Sequence, residues 1–474
     1  MALSCRELNE KKGSVVIMMI RLSSRGKIGF IMLCILALFV TACGSNKGNA
    51  PSSGAESSSG TTASNDPASI KAKVTFMQWG TQEEVNQTKE LLKKFNEKYP
   101  NIKVEVSSKD WETYWTAITA QAASGTLPDI YKMDEAYLDK YAKLGAMKDL
   151  TSLMSEHSFD VDAFEPSVLH KLQQSGKQYA LPRDANTIVV FYNKKLFADE
   201  KTNPRGAPVP TSEMSWDEFI QIAKQMTLDK KGRTAADSDF DKSSTSQWGL
   251  VMDAAGSADS VLESQLWSNG ARLVNDDQSF AMNSPEGLEV LNKFRSFIVD
   301  DHVVPSSSQV KSISPDPFLS LATGKVAISF GGSWNTSEYK VANIDFEAIL
   351  PPKFKEEKTV VQVSGYGMNP KTNNEEAAWI LLNWLTGSEG QIALAEQGQS
   401  IPANKQAVDT YLAIQDGYNK QVFIDSQKYV IPVPFFDGKE NLLWDIIPQM
   451  LSNPLSGKGD IQQAVKDIGA SYGK

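Results

Sequence analysis

Residues 73–106 constrain the fold more than any other stretch, because they read as strand, helix and strand in succession. Apolar and polar residues alternate across residues 73–79, as in a half-buried strand. Apolar residues then recur at helical spacing over residues 83–99 until Pro100 ends the helix, and residues 102–106 form the next strand. Such short connections build a right-handed βαβ unit. We therefore predict an α/β fold of mainly parallel sheets flanked by helices.

Residues that directly follow predicted strands are candidate ligand contacts, because ligands of parallel α/β sheets bind beyond the carboxyl ends of the strands. Trp79 ends the first strand, and Asp134 and Glu135 follow the third. Flat apolar rings stack on a sugar ring, and polar side chains bind its hydroxyl groups, so this mixture favours a neutral polar ligand. The aromatic residues near predicted strand ends are Trp79, Trp267, Trp334 and Tyr366.

A second group of elements follows from about residue 188. Ser215 and Glu218 form a capping box ahead of an amphipathic helix, and Ser284 precedes a proline at the start of another helix. The strand over residues 325–330 leads into two glycines and then Trp334, a pattern that predicts a tight turn presenting an indole ring.

An export signal precedes the folded part of the chain. Basic residues come before an apolar run within residues 28–43, which is too short to cross a bilayer comfortably but has the length of a signal-peptide core. The run closes on Val-Thr-Ala-Cys43, which resembles the bacterial lipobox; a buried core helix ending in cysteine is the alternative. We predict a signal peptide over 1–42, lipidation of Cys43 (palmitate), and a Gly- and Ser-rich flexible tether over 43–69.

Composition limits the chemistry of the remaining chain. Its three cysteines (Cys5, Cys34 and Cys43) all lie in or beside the signal, so the folded part has no disulfide and no cysteine ligand for a metal. The formal net charge of the whole chain is −9, and the signal segment is itself basic, which argues against nucleic acid or an anionic membrane surface as a partner. About 400 residues exceed a single hydrophobic core, so we expect two domains.

The usual catalytic motifs are missing from the sequence. The three histidines do not stand at metal-ligand spacing, and no nucleophile elbow, phosphate loop or dinucleotide fingerprint occurs. Asp134 and Glu135 could serve as a glycosidase pair, but adjacent residues rarely face one another across a sugar. We predict that the protein is not an enzyme and holds no cofactor or metal.

One acidic loop in the sequence is a candidate for binding a cation. Asp237, Asp239 and Asp241 alternate as at the start of a calcium loop. However, Lys242 replaces the turn glycine and Trp248 stands where the bidentate glutamate would be. A solvated acidic loop is therefore the favoured interpretation, with calcium as the alternative.

Several fragments in a fixed order carry a resemblance to a known family. They are ASGTLPDIYKMDEAYLDKYAKLGAMKDLT, GKQYALPRDANTIVVFYNKKLF, SWDEFIQIAKQMT, AISFGGSW and GYGMNPKTNNEEAAWILLNWLTGSEGQ. From about residue 70 onward, the chain resembles the family 1 extracellular solute-binding proteins, the substrate receptors of carbohydrate ABC importers, and is similar to maltodextrin- and multiple-sugar-binding proteins. This resemblance implies two α/β lobes joined by hinge strands, 70–183 plus 364–408 and 184–363 plus 409–474.

The resemblance also implies function and partners. Such receptors are not enzymes; they close on a carbohydrate ligand and then dock on the permease subunits of the transporter. This chain would be a monomer, anchored to the cell membrane on its extracytoplasmic face through Cys43, with no nucleic-acid partner. The ligand-binding residues implied are Trp79, Asp134, Glu135, Arg183, Asn186, Trp267, Trp334 and Tyr366. Another solute, such as a polyamine, a peptide or a metal complex, and an anchored glycoside-processing enzyme are the alternatives.

Overall fold

The computed structural model describes residues 67–398, 400–415, 417–431 and 436–472. The predicted signal peptide, Cys43 and nearly all of the tether lie outside these residues. Numbered along the chain, the strands are β1 Ala72–Trp79, β2 Ile102–Lys109, β3 Ile130–Asp134, β4 Gln173–Gln174, β5 Lys177–Gln178, β6 Ala180–Thr187, β7 Val189–Asn193, β8 Leu228–Asp229, β9 Thr245–Val251, β10 Val326–Gly331, β11 Phe346–Ile349 and β12 Val361–Met368.

The α-helices surround these strands, with short 3-10 and π turns between some of them. They are α1 Gln82–Lys98, α2 Trp111–Ser124, α3 Glu135–Lys143, α4 Thr151–Glu156, α5 Pro166–His170, α6 Lys194–Ala198, α7 Trp216–Met226, α8 Glu263–Ser268, α9 Pro285–Val299, α10 Ser307–Ile313, α11 Thr336–Val341, α12 Glu375–Thr386, α13 Ser388–Ala395, α14 Val408–Ala413, α15 Gln421–Ser426, α16 Lys439–Asn441, α17 Ile447–Leu455 and α18 Ile461–Tyr472. Among the described residues, none of these helices is long and apolar enough to cross a membrane.

The first lobe is built on a five-stranded sheet in the order β2-β1-β3-β12-β6. Strands β2, β1 and β3 run parallel, and β12 is antiparallel to both β3 and β6. Alternate side chains of β1 enter different cores: Val74 and Phe76 pack with α1 and α12, and Met77 packs with α2 and α3. Both faces of this sheet are therefore covered.

The second lobe is built on another five-stranded sheet, in the order β11-β7-β10-β9-β8. Strand β7 is antiparallel to both of its neighbours, β10 runs parallel to β9, and β8 is antiparallel to β9. Val190 faces a core shared with α7, α9 and α17, whereas Phe191 on the opposite face packs with Tyr339 and Phe423. The second lobe thus has its own hydrophobic core on each face of its sheet.

The two-lobed α/β architecture agrees with the prediction, but the sheets are mixed rather than mainly parallel. The reason lies in how the chain passes between the lobes. Strand β6 of the first sheet runs almost directly into β7 of the second, with only Ile188 between them and no crossover helix. Strand β12 returns from the second lobe and enters the first sheet in the opposite direction to β3. Crossover helices impose parallel pairing, and direct connections between sheets do not.

Three chain segments meet where the lobes join. Beside β6 and β12 runs the segment after α13, in which Ala185 N–H donates to the Ile401 carbonyl and Ala403 N–H to the Arg183 carbonyl, each at 3.2 Å. A register shift between Ser364 and Gly365 bends β12 at the same level. These hydrogen bonds make the connection a narrow band of backbone between two separately packed lobes.

Candidate functional site

A buried ionic cluster lies between the lobes, at the carboxyl end of β3. Asp134 ends this strand and caps α3, because its Oδ1 accepts a hydrogen bond from Ala136 N–H at 2.9 Å. Glu135 forms an ion pair with Lys171 of the first lobe at 2.6 Å and lies 3.5 Å from Lys439 of the second lobe. Glu135 therefore connects the two lobes electrostatically.

The second lobe adds two more acidic side chains, Asp259 from the turn before α8 and Glu263 from α8 itself. The Gln362 amide of β12 donates a hydrogen bond to Asp259. Glu263 is only 2% exposed. Burial raises the pKa of Asp259 and of Glu263 to about 7, and burial together with the nearby Glu135 carboxylate raises the pKa of Asp134 to about 7.

Glu135 behaves differently from its acidic neighbours. Burial alone would raise the pKa of its carboxyl, but the ammonium groups of Lys171 and Lys439 hold that pKa below its usual value. At neutral pH, Glu135 is therefore ionised, and it is the anion around which the rest of the cluster is arranged.

An aromatic cluster adjoins these charges. Trp79 at the end of β1 meets Trp111 at 5.1 Å between ring centroids, and Trp115 stacks on Tyr137 at 3.7 Å. Trp444 of the second lobe approaches this group, with its ring 5.9 Å from Trp111 and nearly parallel to Tyr137 at 6.5 Å. Trp444 of the second lobe thus contacts aromatic rings of the first lobe beside the ionic cluster. Such rings are suited to stacking on an apolar ligand face.

Two predicted site residues lie in the hinge, where each already has protein partners. Arg183 pairs with Asp184 and donates a hydrogen bond to the Ser400 hydroxyl at 3.4 Å. Asn186 accepts hydrogen bonds from the Ser333 hydroxyl and from Ile401 N–H, the latter at 3.4 Å. These contacts hold β6 to neighbouring segments, so the structure gives each residue a role in the hinge. Ligand contact by Arg183 and Asn186 stays a prediction.

The Tyr366 ring lies in the core of the first lobe, whereas the sequence predicted it at a loop mouth. It is 4% exposed and packs edge-on against Phe76 at 5.6 Å. The physical reason is that β12 is an internal strand with a helix layer on each face, so a ring on either face is covered. The glycines on both sides of Tyr366 belong to this strand rather than to a turn.

The two other predicted tryptophans lie in the second lobe. Trp334 follows β10, is partly buried, and stands perpendicular to Phe318 at 5.9 Å. Trp267 lies on α8, one helical turn after Glu263, with the Arg272 guanidinium 4.3 Å from its ring. Thus Trp79, Asp134 and Glu135 lie at the carboxyl end of the first sheet. The other five predicted residues lie in the hinge, in the core of the first lobe or in the second lobe.

Sequence patterns pointed to three residues of this interlobe region, Trp79, Asp134 and Glu135, and missed eight others. Trp111 and Trp115 carried a usable signal, because they stand four residues apart in sequence and thus on one face of a helix, here α2. No local pattern places Lys439 or Trp444 beside α3, since their segment packs there only through the tertiary fold. The residues missed are Trp111, Trp115, Tyr137, Lys171, Asp259, Glu263, Lys439 and Trp444.

The acidic loop at residues 237–241 is paired with arginines. Asp237 pairs with Arg205, and Asp239 lies 3.2 Å from Arg233. A calcium site would need these carboxylates to converge on one point. Within the described ranges, no group of three His, Cys, Asp or Glu side chains is arranged to hold a metal ion.

Comparison with known families and structures agrees with this architecture. The family model for bacterial extracellular solute-binding proteins matches residues 90–420. The chain belongs to this family. Members of the family are binding proteins rather than enzymes, and they act outside the cytoplasm.

Known sequence relatives align with nearly the whole of this chain. The galactooligosaccharide-binding protein of Bacillus subtilis is 23% identical over 449 residues, covering 93% of this chain and 94% of that protein. The maltodextrin-binding protein of the same organism is 22% identical over 461 residues, covering 94% and 99%. A maltooligosaccharide ABC transporter solute-binding lipoprotein of Streptococcus pneumoniae is 20% identical over 440 residues, covering 91% and 93%.

Solved structures share the two-lobed fold. An ABC substrate-binding protein from Listeria monocytogenes in complex with cycloalternan superposes with a TM-score of 0.74 at 22% identity, covering 85% of this chain and 98% of that one. A maltose-bound Thermotoga maritima protein superposes with a TM-score of 0.70 at 19% identity, covering 85% and 99%. At these identities the likeness concerns the fold.

Proposed function

We propose that this chain is the substrate receptor of an ABC importer and that it binds a sugar or oligosaccharide between its lobes. The observation that carries the proposal is that Trp444 of the second lobe contacts Trp111 and Tyr137 of the first lobe, beside the interlobe charges. Rings from both sides can cover the apolar faces of a pyranose, and charged side chains can bind its hydroxyl groups. The names of the Bacillus and Streptococcus relatives point to the same ligand class.

The mechanism we propose is hinge closure without catalysis. The lobes, 70–183 plus 364–408 and 184–363 plus 409–474, turn about the backbone band near Ile188, Ser364 and Ile401. A ligand that contacts both lobes stabilises the closed arrangement by its greater affinity for that state. The closed, monomeric receptor then docks on the permease subunits.

We further propose that Cys43 carries lipid, including palmitate, and anchors the mature protein at the extracytoplasmic face of the cell membrane. Lipid on this sulfur would be the only strong anchor, so Cys43→Ala should release a folded protein into the medium. The lipid itself is checked by labelling the wild type with radioactive palmitate. Absence of label on the wild type would contradict the anchor.

A thermal-shift panel tests the ligand class. Galactooligosaccharides, maltodextrins and amino sugars are compared with polyamines, short peptides and metal chelates. A saccharide at 100 times its dissociation constant should stabilise the protein by about 2.7 kcal/mol. Stabilisation by a non-saccharide alone would favour a receptor for another solute. Turnover of a chromogenic glycoside would favour the enzyme alternative.

A further inference from the structure

Two ion pairs join the lobes outside the buried ionic cluster, and both begin on α3 of the first lobe. Lys143 Nζ lies 2.6 Å from Asp437 Oδ1, and Lys140 Nζ lies 3.8 Å from Glu440 Oε1. In each pair the first lobe supplies the lysine and the second lobe supplies the acid. We call these two contacts the rim pairs.

The rim pairs differ from the pair of Glu135 and Lys439, which also joins the lobes, in how far water reaches them. Glu135 and Lys439 are buried, whereas the side chains of Lys143 and Asp437 are 45% and 67% exposed. An exposed charge that loses its partner is hydrated again, but a buried one is left uncompensated. The rim pairs can therefore separate and form again at little cost, as a contact between moving lobes requires.

Lys143 is also positioned from within its own helix. Asp139, one turn earlier on α3, lies 2.9 Å from Lys143 Nζ and is itself buried. A long side chain loses conformational freedom when it forms an ion pair, and this loss opposes the pairing. Because Asp139 already restrains the lysine, less freedom remains to be lost when Asp437 approaches. The first lobe thus holds its half of this contact ready.

We propose that the rim pairs act as a charge latch, which biases the lobes toward their closed arrangement whether or not a ligand is bound. Each pair joins protein to protein, so no ligand group is needed to form it. An exposed ion pair shifts an equilibrium by up to about fivefold, so two such pairs bias the hinge without locking it. This inference rests on the hinge closure of the proposed function but not on the identity of the ligand.

Double electron–electron resonance on the protein without ligand measures the separation of the lobes. The chain from Gly44 onward contains no cysteine, so spin labels attach only at Leu144→Cys in the first lobe and Gln449→Cys in the second, both exposed positions. We expect a short and a long label separation, for closed and open lobes. The short one should be more populated at about 20 mM NaCl than at about 500 mM, because the Debye length falls from about 20 Å to about 4 Å.

Charge variants connect this bias to the rim pairs. At about 20 mM NaCl, Asp437→Lys sets two ammonium groups against each other and should lower the ratio of closed to open protein by about threefold. Adding Lys143→Glu restores a pair of reversed polarity and should return the ratio to within about twofold of wild type. Repulsion between that glutamate and Asp139 acts in both arrangements and cancels in the ratio.

Lys98→Glu is the matched control. Lys98 pairs with Glu389 at 2.7 Å, the two side chains are exposed to a similar degree as the Lys143 pair, and both lie in the first lobe. This variant should leave the ratio of closed to open protein unchanged. Thermal melting of every variant verifies that it folds.

The outcomes decide the inference without any saccharide. A ratio that does not respond to Asp437→Lys would overturn the latch, as would an equal loss in Lys98→Glu. Failure of the double variant to recover the ratio would overturn it too, because Asp437 would then act other than through Lys143. A single label separation at both salt concentrations would leave no closed fraction for the latch to bias. The ligand class is decided separately by the thermal-shift panel, so either proposal can fail alone.

Discussion

Glu135 shows how a single side chain can link two lobes. Its side chain is 11% exposed and lies against one lysine from each lobe, Lys171 and Lys439. Removing one partner from a buried ion pair leaves the other charge uncompensated, and this costs more than the pair contributed.

Glu135→Gln should therefore lower the free energy of unfolding by about 3 kcal/mol, because two buried ammonium groups lose their counter-charge. Urea denaturation of the unliganded protein measures this change. The control Glu156→Gln removes an exposed carboxylate and should stay within about 0.5 kcal/mol of wild type. A change of similar size in both variants would show that Glu135 does not hold the cluster.

The other acids of the cluster predict a dependence of stability on pH. The folded protein holds the pKa of Glu263 at about 7, against an ordinary value of 4.5. Between these values the folded state binds more protons than the unfolded state, so stability falls as pH rises and recovers as pH falls below about 7. The raised pKa values of Asp134 and Asp259 likewise make stability fall as the pH rises. The pKa of Glu135 is lowered, so the stability that its ionised form contributes is lost only as the pH falls below the ordinary pKa of a glutamate.

We expect the melting temperature of the unliganded protein to rise from pH 8 to pH 5 by a larger amount in wild type than in Glu263→Gln. Differential scanning calorimetry of both proteins across this range measures the difference. The comparison also removes the opposing contribution of His302, whose pKa burial lowers. Identical pH profiles for the two proteins would show that Glu263 is not a buried titrating group.

At the scale of elements, the turn after β10 controls the position of one tryptophan. Gly332 lies so close to the Trp334 indole that a Cβ at this position would overlap the ring. The ring is partly buried against Phe318, so it can be displaced toward solvent without opening the main core. Glycine here is needed for close approach rather than for a left-handed backbone.

If Trp334 stacks on the saccharide, Trp334→Ala should weaken binding by roughly 1.5 to 3 kcal/mol, because the lost apolar contact exists only in the complex. Gly332→Ala should cause a similar loss by displacing the indole, and the two changes together should cost no more than Trp334→Ala alone. Calorimetric titration of the double-mutant cycle tests both statements. Additive losses would show that Gly332 acts independently of the ring, and unaltered affinity in Trp334→Ala would remove Trp334 from the site.

Gly365 in β12 is a second glycine that close packing requires, in this case for the fold of the first lobe. A Cβ on Gly365 would lie 2.6 Å from the Leu181 carbonyl oxygen of β6, a backbone atom that cannot turn aside. Gly365→Ala should therefore destabilise the first lobe by about 1 to 3 kcal/mol through overpacking. Thermal unfolding measures this change. An unchanged melting temperature would mean that β12 and β6 separate easily at the hinge.

Local sequence signals predicted the elements better than the site. The Ser215 and Glu218 capping box begins α7 as predicted, and Gly125 in the left-handed region ends α2. These features depend on neighbouring residues. The strand directions, the burial of Tyr366 and the approach of Lys439 to Glu135 depend on segments distant in sequence. Periodicity carries no information about such contacts.

At the scale of the whole molecule, the lobes differ from the space between them. Each sheet has an apolar core on both faces, and the core on the Phe191 face also includes Ala395 and Ile401 of the first-lobe segment. The region between the lobes beyond β3 instead contains charges and aromatic rings. Separately packed lobes joined by a narrow band of backbone can rotate as rigid bodies. If the lobes close as proposed, their mutual contacts, among them the pair of Lys143 and Asp437 at 2.6 Å, must break and reform.

Small-angle X-ray scattering with and without a bound saccharide is the sharpest test of hinge closure. The protein without its lipid is measured alone and at a saturating concentration of whichever saccharide the thermal-shift panel identifies, with saturation proven by calorimetry. We expect a smaller radius of gyration in the complex, because the ligand stabilises the closed arrangement of the lobes. An unchanged radius under proven saturation would contradict a receptor that works by hinge closure.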